Sequence, residues 1–213
     1  MSALEAGWVH DRVTALPLGR GVTVLPAPRD LDAAAAAARS FLEALGVACD
    51  TPATLDSPRR MASAYAEMLT PRPFDLTTFD NDEGYDEMVV VCDIPVQSIC
   101  EHHLLPFTGV AHVGYLPGER ILGLSKLARV VEMFSRRPQV QERLTKQVAD
   151  WLDSELSPRG VGVVVIAEHS CMSLRGSRAA GATTRTTAVT GAMRNDPMTR
   201  AEFLAAVDER RSA

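Results

Sequence analysis

The sequence predicts an α+β fold, an antiparallel sheet with helices layered on one face. Three observations predict it. From residue 87 onward the apolar pattern runs strand, strand, helix, helix, strand, strand, helix. The strands come as sequence neighbours at both ends of that run, as hairpins require. The two central helical stretches carry apolar residues at helical spacing: Leu127, Val130, Val131 and Phe134 in the first, and Val140, Leu144, Val148, Trp151 and Leu152 in the second.

The elements follow in chain order. Residues 1–29 have mixed polarity, three prolines and no sustained period, and are expected to form a loosely ordered N-terminal arm that includes Trp8 and His10. Residues 30–86 are expected to be a helical extension and a loop. Asp30 is placed to cap a helix through the alanine run, with Gly46 ending it. Ser57-Pro58 reads as a cap followed by proline in the first turn, with Met61, Tyr65 and Leu69 spaced by four and Pro71 and Pro73 closing the helix. Residues 74–86 are acidic and irregular and read as a loop. Residues 87–213 form the third unit. Its expected strands are 88–94, 110–115, 161–167 (carrying on through Cys171) and 183–190. Ser125 is placed to start the first central helix, Gly160 to end the second, and Asp196-Pro197 to open the last helix.

The chain has 213 residues, 46% hydrophobic and 23% charged, with a formal net charge of −5. This balance fits a globular protein and gives no support for nucleic acid as a partner. No apolar run approaches bilayer length, so no membrane partner is expected. No basic start followed by an apolar stretch opens the chain, so cytoplasm is the expected location. Four irregularly spaced cysteines do not suggest a disulfide framework.

Chemistry concentrates at Cys100-Glu101-His102-His103. Cys100 and His103 are three apart, a usual separation for two zinc ligands on one turn. Cys171 is the candidate third ligand; its plain alternative is a small buried hydrophobe. Three protein ligands would leave a fourth position for water, as catalytic zinc sites do. His102 and His169 are candidates for proton transfer, or for hydrogen bonds that orient a ligand. Lys126 and Arg129 project from one helix face behind Ser125, and Arg175 follows Cys171. Together they would cradle phosphate; singly each reads as a solvated cation. Gln141 and Glu142 open the second central helix, where amide and carboxylate could pair with a purine edge. Cys49, Cys92 and His112 read as structural.

With these residues assembled, the chain resembles the GTP cyclohydrolase I family. The resemblance rests on CEHHLLPFTGVAHVGYLP, ILGLSKLARVVEMFSRRPQVQERLTKQVADWL, HSCMSLRG and TRAEFL, and runs from about residue 87 to 208. It implies a tunnelling fold, an antiparallel four-stranded sheet with two helices inserted between strands 2 and 3. It implies a toroidal homodecamer with sites at subunit boundaries. It also implies zinc on Cys100, His103 and Cys171, His102 and His169 as catalytic imidazoles, and Ser125, Lys126, Arg129 and Arg175 around the triphosphate and ribose. Gln141 and Glu142 would anchor guanine. The implied reaction converts GTP and water to 7,8-dihydroneopterin triphosphate and formate, ahead of folate, other pterins or deazapurines. Two departures stand out: Arg185 lies in a stretch usually rich in threonine and serine, and Gly114 stands where alanine is common.

Overall fold

A computed structural model of the chain describes residues 29–209. The expected loose arm therefore lies outside the described residues, except for Arg29. That side chain donates to the carbonyls of Ala66 and Leu69 at the end of the second helix, where carbonyls lack helical partners. The first helix, α1 (Leu31–Ala44), is capped as expected: Asp30 accepts from the amides of Asp32 and Ala33 at 3.1 and 2.8 Å. Gly46 follows in the left-handed region with φ +78°. In α2 (Ser57–Met68) the cap position falls on Asp56 rather than Ser57, and Pro58 sits in the first turn, where its missing N–H costs nothing.

The strands are β1 (Thr78–Asp80), β2 (Val89–Cys100), β3 (Pro106–Leu116), β4 (Arg120–Leu122), β5 (Pro138–Gln139), β6 (Gly160–His169) and β7 (Thr183–Val189). The main sheet has the order β5-β2-β3-β6-β7. Its four long strands are antiparallel, as expected, but the two-residue β5 pairs parallel with the end of β2. The sheet is therefore mixed and five-stranded. A second correction concerns residues 74–86, which contain β1, paired antiparallel with β4. Three residues are too few to show a period. β2 runs on to Cys100 through a bulge between Val91 and Ile94, where Asp93 takes φ +56°.

The helices α3 (Leu124–Ser135), α4 (Gln141–Leu156), α5 (Ser170–Ser173), α6 (Gly191–Asn195) and α7 (Pro197–Glu209) complete the fold. Gly123, not Ser125, holds the cap position of α3. The α4 helix ends at Ser157, whose φ of +48° closes it, while Gly160 opens β6 instead. Asp196 accepts from the amides of Met198 and Thr199 and so starts α7 as expected. Among the described residues no helix is long and apolar enough to cross a membrane.

The helices do not lie on one face. α3 and α4 pack over Ala111, Val113, Tyr115, Val161, Val163 and Val165. On the opposite face Phe203 and Val207 of α7, with Met193 of α6, pack over Leu116, Val164 and Ile166. The unbroken apolar run 161–167 already carried this message, because a strand covered on both faces has no polar alternation. Phe203 explains Gly114. Gly114 and Gly162 are register partners, and a Cβ at Gly162 would come within 2.6 Å of the fully buried Phe203 ring. At Gly114 it would come within 3.0 Å. The two glycines make a flat shelf for the ring. Phe203→Ala is expected to cost about 3–5 kcal/mol, read by denaturant unfolding. A loss below about 1 kcal/mol would contradict this packing.

Candidate active site

The end of β2, the turn after it and the end of β6 form one group. The turn folds back on Cys100: the Cys100 amide donates to the Leu105 carbonyl and the Leu104 amide to the Cys100 carbonyl, both at 2.8 Å. Leu104 takes φ +53° to close it. Tyr65 of α2 donates its hydroxyl to the Leu104 carbonyl at 2.9 Å, so the helical extension also touches this turn. β6 does not carry on through Cys171. It stops at His169, and the single helical turn α5 swings Cys171 back towards Cys100.

The Cys100 Sγ then lies 3.9 Å from His103 Nδ1 and 4.0 Å from Cys171 Sγ. Among the described residues, the donor atoms of Cys100, His103 and Cys171 form a group within 4.8 Å of one another. A tetrahedral ion with ordinary sulfur and nitrogen bond lengths would need donor separations of about 3.5–3.8 Å. The group fits a metal after a small contraction. The donor chemistry agrees. Burial and the neighbouring Cys100 thiol push the Cys171 thiol up, with Arg175 pulling it partly back, so the Cys171 thiol resists ionising without a cation. His102 Nδ1 is also 3.9 Å from Cys100 Sγ, but it falls outside the three-donor group.

His169 ends β6, two residues before Cys171. It pairs in register with Phe107, and the two rings stack at 4.4 Å with 10° between planes. Its Nε2 lies 2.8 Å from Gln141 Oε1. The Gln141 amide is oriented by its own donors, which reach the carbonyls of Val165 and Thr184 at 3.1 and 2.9 Å. Oε1 must therefore accept, Nε2 carries the hydrogen, and Nδ1 is left as the basic nitrogen. Burial pushes the His169 pKa down and nearby Glu142 pushes it up; the net is below the ordinary value. Gln141 is only 2% exposed. Its purine-facing capacity is thus reduced to one remaining lone pair on Oε1. Glu142 is exposed and lines a groove of about 440 Å³ between α4 and β7, with Thr145, Thr186, Arg194 and Arg200.

The cationic residues divide into two sets. Arg175 follows the Cys171 turn. Ser125, Lys126 and Arg129 occupy the start of α3, where Arg129 reaches Glu132 at 3.3 Å. Arg72, unnoticed in the sequence, grips the same carboxylate with contacts of 2.8 and 2.7 Å. Burial pushes the Glu132 carboxyl up, but Arg72 and Arg129 outweigh it and hold the group below its ordinary value. Among the described residues no hydrogen bond or ion pair joins Ser125, Lys126 or Arg129 to the thiol–imidazole group. Arg185 lies elsewhere: it pairs with Asp208 of α7 at 2.8 Å, on the sheet face away from Gln141. Alternation along β7 could have placed it, since Thr184 and Thr186 face Gln141. Tyr65 and Arg72 carried no local signal, because each reaches the site region from distant sequence.

The fold and group define an α+β protein with a thiol–imidazole cluster able to hold a metal beside a neutral histidine. A sequence model of GTP cyclohydrolase I matches residues 34–208. GTP cyclohydrolase 1 of Streptomyces griseus is 54% identical over 179 residues, covering 82% of this chain and 89% of that protein. The Mycolicibacterium gilvum protein of the same name is 53% identical, covering 80% and 87%. That of Aquifex aeolicus is 50% identical, covering 79% and 91%. The chain belongs to the GTP cyclohydrolase I family.

Metal analysis tests the donor group. Cys100→Ala and Cys171→Ala are expected to lose bound metal after gel filtration, while His169→Ala keeps it. Full retention in both cysteine variants would contradict the assignment.

Proposed function

We propose that this chain performs the reaction of its family, converting GTP and water to 7,8-dihydroneopterin triphosphate and formate, the first step of pterin and folate biosynthesis. The observation that carries the reading is the convergence of Cys100, His103 and Cys171 with a neutral, oriented His169 beside them. The metal is read as zinc, which suits two thiolates and an imidazole and, when bound, raises the nucleophilicity of water near neutral pH.

The chain's own residues supply the rest. Hydrolytic opening at C8 of the purine needs a proton at N7 and further transfers as the ring opens. His102 and His169 carry these, and the basic Nδ1 of His169 suits it to the work. Glu142 accepts from the guanine N–H edge, while Gln141 keeps its place in the guanine anchor mainly by holding His169. Ser125, Lys126, Arg129 and Arg175 take the triphosphate and ribose. No bond changes at the triphosphate, so these contacts serve binding and alignment.

A homo-oligomer, read as a toroidal decamer with shared sites, supports the cradle. Within one protomer, among the described residues, no hydrogen bond or ion pair joins Ser125, Lys126 or Arg129 to the metal group, and a neighbouring copy can bring the two sets together. The outer edge of β7 favours this, since an open edge strand is a template for another chain. The catalytic unit is read as residues 87–213, with 30–86 a helical extension and 1–29 an arm, in a cytoplasmic enzyme.

Mass spectrometry of the product from GTP, with metal content measured on the same sample, tests the reading. Dihydroneopterin triphosphate and formate are expected; a formylated intermediate alone, or unchanged GTP with zinc-loaded oligomer, would overturn it. His102→Ala and His169→Ala are each expected to lower turnover by about 10²–10⁴-fold with metal content near wild type. Loss of metal in both would refute the proton-transfer roles.

A further inference from the structure

Glu101 lies between a metal donor and a catalytic imidazole, yet it belongs to neither set. Its carboxylate is gripped by Arg143: Nη1 approaches Oε1 at 3.3 Å and Nη2 contacts Oε2. The same guanidinium donates from Nε to Gln139 Oε1 at 2.9 Å. Gln139 is 1% exposed, and its amide donates to the Phe134 carbonyl at 2.9 Å and to Gln147 Oε1 at 2.8 Å. The Gln139 carbonyl in turn accepts from the Glu101 amide at 3.0 Å, beside the Cys100–Gln139 register pair. Glu101 is thus tied to a buried post by both backbone and side chain.

Arg143 belongs to the first turn of α4. Two residues earlier Gln141 holds His169, and Glu142, next to it on the same turn, lines the groove between α4 and β7. One helical turn therefore reaches both walls of the site, His169 on β6 and the 100–104 turn after β2. We propose that Glu101 and Arg143 form a positioning pair that sets the metal-binding turn relative to His169 and Glu142, so that the activated water and the anchored purine meet in line. This rests on the function proposed above.

The side chains are 32% and 43% exposed, so solvent screens the pair and its contribution to global stability is small. Its effect is geometric. A guanidinium fork meeting a carboxylate fixes direction as well as distance, which a lysine ammonium does not. Displacement of the turn by a fraction of an ångström would cost rate far more than substrate affinity.

The test compares zinc-loaded, full-length wild type with Glu101→Gln, Arg143→Lys and the double variant. Zinc release to a chromophoric chelator is measured separately from turnover. Each single change is expected to speed release about tenfold, the lower range for residues that orient metal ligands. Each is also expected to lower kcat about tenfold with KM for GTP within about threefold. The double variant is expected to be no worse than the poorer single. Thermal midpoints should move by less than about 4 °C. Wild-type zinc release in Glu101→Gln, additive losses in the double, or a rise in KM with a large midpoint drop would each overturn the proposal. Wild type that releases zinc slowly but does not turn over GTP would refute the function reading instead, and the release data would still decide whether the pair positions the turn.

Discussion

Two thiols 71 residues apart in the chain come within 4.0 Å because three strands keep one register. β3 pairs with β6 without a slip from Phe107–His169 to Leu116–Gly160, and β2 meets β3 at Ile99–Pro106. A shift of one residue would send every side chain of a strand to the opposite face. His169 would then leave Phe107 and Gln141, and Cys171 would swing away from Cys100. Gly109 shows how tightly the strands are set: a Cβ there would lie 2.0 Å from the Ile166 carbonyl oxygen. The bulge in β2 absorbs its extra residue well before Cys100, leaving the site end of the ladder regular.

The second element on which the site depends is the first turn of α4. Buried carboxamides are expensive unless fully paired, and both glutamines here are paired. Gln141 joins α4 to β6, β7 and His169, while Gln139 joins β5 to α3, α4 and Arg143. Fold and site are therefore one network. The threonines of β7 belong to it through Thr184 and Thr186, and Arg185, on the other side of the strand, belongs to the packing of α7.

Much of this was legible in the sequence. Alanine-rich and stripe-patterned helices, and the order of the four long strands, follow from local periodicity. Two of the candidate metal donors, Cys100 and His103, announced themselves by residue type and spacing, whereas Cys171 stood out from its plain alternative only with the family resemblance. What was not legible needed distant partners. β1 and β5 are too short to carry a period and exist only through β4 and β2. Covering of both sheet faces was written in the run 161–167, but reading it required giving weight to the missing alternation. The burial of Gln141 could not be read, because nothing local tells a helix start that its first residue will be covered by another strand. Glu101 had no readable role, since its partner lies 42 residues away on a different element.

X-ray absorption of the zinc-loaded protein tests the central claim most directly, that strand register builds a metal centre from three protein donors with one place left open. The account predicts two sulfur neighbours near 2.3 Å and two light-atom neighbours near 2.0 Å, one of them imidazole. A shell with a single sulfur, or with two imidazoles and no oxygen, would contradict it.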